Sequence, residues 1–252
     1  MSDRPPELPV EVRGLTIGHG GQPIQRDLTF GVRRGEILVI MGDSGSGKST
    51  LMRHMIGLDP PLAGDVYYGG EGYWAAEETR REALRRRFGV LFQNAALWSS
   101  MTLEENVVVP LQASAGLPAG EAREIARLKL ALVGLAGFEQ HYPAQISGGM
   151  KKRAGLARAI ALDPAILYFD EPSAGLDPLT SRRLDGLIRE LRDSLGTTVV
   201  LVTHELESIF ALGDSAVFLD AERRTMIAQG SPQALRDSAE PKVRAFLGGG
   251  ER

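Results

Sequence analysis

The fold is decided by one stretch of the sequence, Ile37-Leu38-Val39-Ile40-Met41-Gly42-Asp43-Ser44-Gly45-Ser46-Gly47-Lys48-Ser49-Thr50. A short apolar run is followed by a glycine-rich turn and then by a helical pattern. This is the phosphate-binding loop pattern G-x-x-x-x-G-K-[ST], in the strand-to-helix context that the motif requires. Because glycine lacks a Cβ atom, the backbone of such a turn can curl and direct its N–H groups inward. The following helix adds its own unpaired N–H groups and the positive end of its dipole.

We therefore predict that residues 42–50 bind the phosphates of a nucleoside triphosphate. Within this segment, Lys48 is expected to reach the β- and γ-phosphates, and the hydroxyl of Ser49 to bind Mg²⁺. The alternative is a glycine-rich turn that binds nothing, and the strand and helix that flank the segment argue against it.

Composition describes an ordinary globular chain and excludes several classes of function. The 252 residues are 43% hydrophobic and 24% charged, and they include no cysteine, so thiol chemistry and cysteine-zinc sites are excluded. The net charge of -3 provides no general basic field, and we predict no nucleic-acid partner. No apolar stretch reaches the roughly 18 residues of a membrane span, and the N-terminus lacks the apolar segment of a signal peptide. A membrane role would therefore need a partner.

Strands and helices alternate along most of the chain, which predicts an α/β core with a parallel sheet. A stretch of helices alone, at about residues 100–162, interrupts this alternation and indicates a helical subdomain. Helix starts are predicted at Thr102 by a capping box, at Ser147, and at Asp177 followed by Pro178. The helix that follows Thr102 is expected to end near Val109.

Two acidic residues directly follow a predicted buried strand at 166–169. Ligands of open α/β sheets bind at the carboxyl ends of such strands. We predict that Asp170 binds Mg²⁺ and that Glu171 is the base that polarises the attacking water. The alternative is a carboxylate pair that only caps a turn before Pro172.

Two further polar residues end predicted strands. His204 follows the buried strand at 198–202 and would point to the same sheet edge, where it could contact the γ-phosphate or orient the water. Gln93 ends another strand and could bring a neutral ligand to Mg²⁺ or to the water. A lone histidine is more often structural, so a structural role for His204 stays open.

Six segments occur in the order found in one protein family: Gly42–Thr50, Gln93, Ile146-Ser147-Gly148-Gly149-Met150, Tyr168-Phe169-Asp170-Glu171, Ala174-Gly175-Leu176-Asp177 and His204. From about residue 10 to residue 247, the chain resembles the ATPase subunits of ATP-binding-cassette (ABC) transporters. The resemblance implies a P-loop NTPase core with a mixed sheet, an N-terminal antiparallel β subdomain and an inserted α-helical signature subdomain. It implies one ABC ATPase domain over residues 1–252, with the core at about 10–95 and 163–247.

The resemblance also implies ATP and Mg²⁺ as cofactors and a head-to-tail homodimer. Each ATP would lie between the phosphate-binding loop of one subunit and the signature, residues 146–150, of the other. In the signature, the backbone N–H groups of Ser147, Gly148 and Gly149 would bind the γ-phosphate. Met150 belongs to the same signature and stands where the family usually has Gln. The resemblance also implies that Asp177 takes part in nucleotide binding.

At a further position, His19 stands where the family usually stacks an aromatic ring on adenine. The imidazole of His19 would then make that contact, or the base would be held more weakly.

Within the family, the chain is similar to the ATPase of Mla/Mce-type phospholipid transporters. The similarity lies in the Ser-Gly-Gly-Met signature, the segment Leu91–Leu97 before Met101-Thr102, and the ending Pro241–Leu247. It implies an ATPase at the cytoplasmic side of the inner membrane that powers phospholipid transport across or between bacterial membranes. Its partners would be integral-membrane permease subunits and an MCE-domain lipid-binding protein. We expect Trp98 and Leu97 to contact the permease, with core packing as the alternative.

Two other classes of function stay open at this point. One is the ATPase of an amino-acid importer, a metal importer or a lipoprotein-release system, because the ATPase motifs barely distinguish cargo. The other is a soluble ABC protein that acts on ribosomes or DNA, although such proteins usually carry two cassettes or a long coiled-coil insertion.

Overall fold

The computed structural model describes residues 8–248 of the chain. The first seven residues, for which the sequence predicts no signal peptide, and the last four lie outside the described residues. The described chain forms two compact units: unit 1 comprises residues 8–85 and 196–248, and unit 2 comprises residues 86–195. Within residues 8–248, no helix is both long enough and apolar enough to cross a membrane.

The strands, in chain order, are β1 (Val10–His19), β2 (Gln22–Val32), β3 (Ile37–Gly42), β4 (Ala63–Tyr68), β5 (Glu71–Gly72), β6 (Phe88–Leu91), β7 (Ile166–Asp170), β8 (Thr198–Val202), β9 (Ser215–Asp220) and β10 (Thr225–Gly230). The helices are α1 (Lys48–Met55), α2 (Glu78–Arg85), α3 (Leu103–Ala115), α4 (Ala119–Leu132), α5 (Gly148–Ala159), α6 (Pro178–Leu195), α7 (Leu206–Leu212), α8 (Pro232–Arg236) and α9 (Pro241–Leu247). A short 3-10 helix spans Pro143–Gln145.

An antiparallel sheet at the start of unit 1 has the strand order β2-β1-β4-β5. Strand β2 alternates in burial: Leu28, Phe30 and Val32 are buried, while Asp27 and Thr29 on the other face are exposed. This alternation is what a sheet with one face on the core requires. The predicted N-terminal antiparallel β subdomain is confirmed.

The remaining strands of unit 1 belong to the sheet that carries the phosphate-binding loop. Strand β3 pairs in parallel with β8 on one side and with β9 on the other, and β10 closes this edge as an antiparallel hairpin with β9. Every residue of β3, β8 and β9 is buried, which is typical of parallel strands covered on both faces. The parallel core is thus as predicted. Helix α7, in contrast, has no counterpart in the sequence prediction.

Unit 2 contains a parallel pair of strands, β6 and β7, and the helices α3 to α6. The predicted helix starts are confirmed. The Thr102 hydroxyl accepts a hydrogen bond from the Glu105 N–H, and the Glu105 carboxylate accepts one from the Thr102 N–H. Ser147 and Asp177 accept hydrogen bonds from the first turns of α5 and α6.

The end predicted for helix α3 near Val109 is wrong, because the helix continues to Ala115 with Pro110 inside it. Pro110 removes one backbone hydrogen bond, but Val107 and Leu111 on the same helix are buried, and their packing outweighs that loss. Gly116, with φ 67°, then ends the helix in the left-handed conformation that glycine adopts readily.

Candidate functional site

The phosphate-binding loop joins β3 to α1 and depends on glycine at both ends. Gly42 has φ 147°, and a Cβ atom there would lie 2.2 Å from the backbone oxygen of Leu219. Gly47 has φ 87°, and its Cβ would lie 2.7 Å from Cγ2 of Ile24 and 3.8 Å from Cδ1 of Ile17. The loop therefore presses against β2 and β9 so closely that larger residues would force it out of place.

The start of helix α1 has the properties of an anion site. Its N-cap is Gly47, and within residues 8–248 no side chain caps this N-terminus. Ser46 adds a buried hydroxyl oxygen for which the described residues provide no hydrogen-bond partner. Helix N-termini without caps leave N–H groups that suit phosphate oxygens. The geometry of this loop therefore fits a bound phosphate group.

Lys48 brings a positive charge into the same loop. Its side chain is buried, and Nζ donates hydrogen bonds to the backbone oxygens of Gly42 at 3.0 Å and Asp43 at 2.7 Å. The ammonium group thus curls back over the loop, where it can be shared with a phosphate.

The side chains of two residues outside the motif also hold the loop. The Gln25 amide donates to the backbone oxygens of Ser46 at 2.8 Å and Asp220 at 2.9 Å. Lys242 forms an ion pair with the Asp43 carboxylate at 2.7 Å. Gln25 was not singled out from the sequence, and Lys242 was noted only within the ending Pro241–Leu247, because the type of neither residue signals a contact with the loop.

The two histidines singled out from the sequence lie at strand ends of unit 1. His19 is exposed at the end of β1, two residues beyond Ile17, which approaches Gly47 of the loop. His204 is exposed and lies two residues after the last residue of β8. It is therefore at the carboxyl end of a strand that pairs with β3. Both therefore belong to the part of unit 1 that carries the phosphate-binding loop.

In unit 2, the predicted acidic pair lies at the end of β7. Asp170 is the last residue of the strand and is buried. Glu171 follows with φ 46°, a left-handed conformation that is uncommon for a residue with a side chain. Backbone outliers of this kind concentrate at functional sites.

Lys152 joins two of the predicted residues in unit 2. This buried lysine of α5 donates to the backbone oxygen of Gln93 and, at 3.2 Å, to that of Glu171. The structure therefore brings the segments of Gln93 and Glu171 together through one ammonium group. Lys152 was not singled out from the sequence, because nothing in the sequence distinguishes this buried lysine from a solvated one.

The signature residues form the exposed start of α5. Ser147 is the N-cap, and its Oγ accepts a hydrogen bond from the Met150 N–H at 3.3 Å. Gly148 and Gly149 are the first two residues of the helix. Their backbone N–H groups therefore lie in the first turn, where helices leave donors unsatisfied.

A cavity of about 520 Å³ opens beside these residues, lined by Ser147, Gly149 and Met150 and by the basic side chains of Arg153 and Arg183. Burial and the neighbouring Arg183 lower the pKa of Arg153. The two guanidinium groups bring positive charge to a cavity that is also lined by apolar side chains, among them Leu132, Leu176 and Leu187.

Asp177 caps α6 within the same unit. Its Oδ1 accepts from the backbone N–H groups of Leu179 and Thr180, each at 3.1 Å, and its Oδ2 accepts from the Thr180 hydroxyl at 2.5 Å. The hydrogen bond from the Thr180 hydroxyl, followed by those from the backbone, lowers the pKa of Asp177. This carboxylate is therefore held in place as an anion.

The segment after β6 presents an exposed aromatic side chain. Trp98 is 47% exposed, and the Arg158 guanidinium lies 5.3 Å from its ring centroid. Asn106 holds the backbone of Trp98 through hydrogen bonds to its N–H and its oxygen. Trp98 is therefore fixed at the surface, and core packing does not account for it.

Comparison with known proteins gives consistent results. Residues 25–174 match the protein family described as ABC transporter. MlaF of Escherichia coli (strain K12), the ATP-binding protein of the intermembrane phospholipid transport system, is 40% identical over 240 residues, covering 95% of this chain and 88% of that protein. The probable ribonucleotide transport ATP-binding protein mkl of Mycobacterium tuberculosis is 40% identical over 245 residues, covering 97% of this chain and 68% of that protein.

Two solved structures have the same fold. The dimeric, post-hydrolysis ATP-binding cassette MJ0796 bound to ADP and Pi matches with a TM-score of 0.79 and 30% identity, over 88% of this chain and 98% of that chain. The structure of cbiO1 from Clostridium perfringens, part of the transporter complex cbiONQ, has a TM-score of 0.82 over 96% of this chain and 95% of its own. At 24% identity, the second match concerns the fold alone.

Proposed function

This chain belongs to the ABC transporter family, as one of its ATPase subunits, and from that premise we propose that it powers phospholipid transport across or between bacterial membranes. The observation that carries the proposal is the 40% identity to E. coli MlaF over nearly the whole of both chains. The mycobacterial relative named for ribonucleotide transport is equally similar in identity, so ribonucleotide is the second candidate cargo.

We assign nucleotide binding first to residues 42–50. The backbone N–H groups of the loop and of the start of α1 would hold the phosphates, and Lys48 would contact the β- and γ-phosphates. The support for this assignment is the glycine geometry, the helix start without a side-chain cap and the Lys48 ammonium that already lies over the loop. His19 would contact the adenine.

Mg²⁺ takes oxygen ligands, and we assign the Ser49 hydroxyl, the Gln93 amide oxygen and the Asp170 carboxylate to it. These residues would hold the ion where its positive charge would offset the charge that develops during transfer of the γ-phosphoryl group. Glu171 would accept the proton of the attacking water, and His204 would hold the water or the γ-phosphate in place. The unusual backbone of Glu171 and its link through Lys152 to Gln93 support a positioned carboxylate.

The active form would be a head-to-tail homodimer. Ser147, Gly148, Gly149 and Met150 of one copy would contact the ATP that is bound to the loop of the other copy, with Asp177 beside them. The positive charge of Arg153 and Arg183 at the cavity suits an incoming triphosphate. The dimeric cassette structure at 30% identity supports the proposal of a dimer.

We place the dimer on the cytoplasmic side of the inner membrane, bound to integral-membrane permease subunits. The exposed Trp98, whose backbone and ring are both held, is the contact that we assign to the permease. An MCE-domain lipid-binding protein would complete the complex. The chain would act as one ABC ATPase domain, with its core at about 10–95 and 163–247 and a helical subdomain at about 100–162.

The hydrolysis assignment is tested with Glu171→Gln. The variant should bind Mg-ATP normally and accumulate as a dimer, but hydrolyse ATP at least about tenfold more slowly, because a general base contributes about 10²–10⁴ in rate. Glu190→Gln, at an exposed position of α6, is the control and should hydrolyse normally. Near-normal turnover of Glu171→Gln would remove Glu171 from its assigned role.

The cargo is tested by isolating the tagged chain from its native membrane and identifying bound proteins and small molecules by mass spectrometry. Recovery of a permease, an MCE-domain protein and phospholipid would support the proposal. Recovery of a different permease with a solute-binding protein would contradict phospholipid as the cargo and indicate a small solute, while the ATPase function would still hold.

A further inference from the structure

The last described helix reaches back to the phosphate-binding loop through one side chain. Lys242, near the start of α9, places Nζ 2.7 Å from Oδ2 of Asp43 and 3.0 Å from Oδ2 of Asp220. Asp43 is the residue that follows Gly42 in the loop. One ammonium group therefore links α9, the end of β9 and the loop.

The position of Lys242 is fixed by the packing of its own helix. Val243 and Leu247 of α9 are buried, and the ring of Phe246 meets that of Phe218 on β9 edge to face, with centroids 5.3 Å apart. These contacts hold the backbone of α9 against the sheet that carries the loop. The lysine is thus presented to Asp43 by a packed element.

Asp220 provides the second, fixed anchor of the ammonium. Its Oδ1 accepts from the backbone N–H groups of Glu222 and Arg223, each at 2.7 Å. Burial acts to raise the pKa of Asp220, but these two hydrogen bonds and Lys242 together lower it. Lys242 therefore sits against a carboxylate that stays charged and does not move, and Asp43 is drawn toward that point.

We propose that Lys242 is a positioning residue for nucleotide binding, which holds Asp43 and neutralises its charge so that the loop accepts a triphosphate. The inference rests on the proposed role of residues 42–50 in phosphate binding. It gives helix α9 a role in nucleotide affinity, although α9 lies outside the phosphate-binding loop motif.

The negative charge of Asp43 is the reason why the loop needs Lys242. A carboxylate within a phosphate-binding loop repels the anion that the loop is meant to hold, unless a cation lies against it. Lys242 supplies that cation while Lys48 faces the loop carbonyls. Removing Lys242 would leave the Asp43 carboxylate without this cation, whereas removing both charges would leave Lys48 as the one charged side chain of residues 42–50.

The experiment is a titration of the full-length chain with Mg-ATP by calorimetry. Lys242→Met keeps the aliphatic stem of the side chain and should weaken binding about tenfold, a loss that shrinks at high salt. Adding Asp43→Asn to Lys242→Met should restore most of the affinity, and Lys242→Arg should bind within about threefold of the original chain. Arg244→Ala is the control on the same helix: its guanidinium bonds to the backbone oxygens of Ser238 and Ala239, so its loss should leave affinity unchanged.

Three outcomes would contradict the inference. Normal affinity of Lys242→Met would show that the loop does not need the ammonium. Failure of Asp43→Asn to restore binding in the Lys242→Met background would show that the charge of Asp43 is not the cause. Equal losses in Lys242→Met and Arg244→Ala would assign the effect to general support by α9. If the original chain itself does not bind Mg-ATP, the proposed function fails, and the inference that rests on it fails with it.

Discussion

Two glycine-rich segments, one before α1 and one before α5, are each followed directly by a helix, and they differ in how that helix is capped. Before α1, Gly47 is the N-cap with φ 87°, and the described part of the chain supplies no side-chain cap. Before α5, Ser147 is the N-cap in an extended conformation with φ -67°, and its hydroxyl accepts from the Met150 N–H. Similar composition thus gives one helix start that the chain caps by itself and one that it does not.

The surroundings of the glycines differ in the same sense. A Cβ atom at Gly47 would lie 2.7 Å from Ile24, whereas at Gly148 the nearest atom would be Leu176 Cδ2 at 3.9 Å. The first segment therefore leaves no room for a side chain at Gly47, whereas the second has open space at Gly148. The second segment also carries its own capping hydroxyl. In the proposed homodimer, this difference is expected, because the first segment would hold the nucleotide and the second would approach it from another copy.

The largest expected effect is on nucleotide affinity, and it concerns the segment before α1. Lys48→Ala should reduce Mg-ATP affinity about 100-fold, because a charged group that hydrogen-bonds a phosphate contributes about 1.5–3 kcal/mol. Calorimetric titration measures the change. Lys151→Ala, in the first turn of α5, is the matched control and should bind within about twofold. Equal losses in the two variants would erase the proposed difference between the segments.

The next effect separates the two segments by their glycines. Gly47→Ala should lower the free energy of unfolding by about 2 kcal/mol, because alanine is strained at positive φ and would clash with Ile24. Gly148→Ala should stay within about 1 kcal/mol of the original chain, since its site is open and alanine favours a helix. Urea unfolding of both variants gives the comparison, and a larger loss for Gly148→Ala would reverse it.

A smaller effect concerns the cap of α5. Ser147→Ala removes the hydroxyl that accepts from Met150 and should lower the free energy of unfolding by about 1 kcal/mol. Ser147→Asn can form the same type of cap and should recover most of that stability. If both variants unfold like the original chain, the Ser147 hydroxyl contributes nothing as a cap.

The smallest expected effect is a pH dependence of the unfolding free energy. It should be found for Asp220, which is linked to the phosphate-binding loop through Lys242, and not for the cap at Ser147. Asp220, whose pKa is lowered, stabilises the fold above its ordinary pKa of about 3.9, and this contribution is lost as pH falls through its native pKa. The difference in unfolding free energy between the original chain and Asp220→Asn should therefore shrink below about pH 4. The corresponding difference for Ser147→Ala should stay constant over the same range, since no ionisable group takes part in that cap. A constant difference for Asp220→Asn would contradict the ionic role of Asp220.

Local signals explain most of what the sequence predicted correctly. The glycine pattern before Lys48, the buried run before Asp170 and the caps at Thr102, Ser147 and Asp177 depend on residues within a few positions of one another. Helix α3 shows the limit of such signals: Pro110 indicates a stop, but burial of Val107 and Leu111 decides that the helix continues. Helix α7 was missed altogether, although Ser208, Ile209 and Leu212 are buried in it.

By itself, the sequence determined the α/β fold class, the family and the residues proposed to bind nucleotide, because motifs and periodic patterns are short-range properties of the chain. Only the tertiary structure decided that Lys242 meets Asp43, that Gln25 holds Ser46, and that Lys152 joins Gln93 to Glu171. These three partners are separated from the segments they hold by roughly 20 to 200 residues, and polar residue types such as Lys and Gln are mostly solvated in proteins. Their roles arise from burial and pairing, which exist only once the distant strands and helices have packed together.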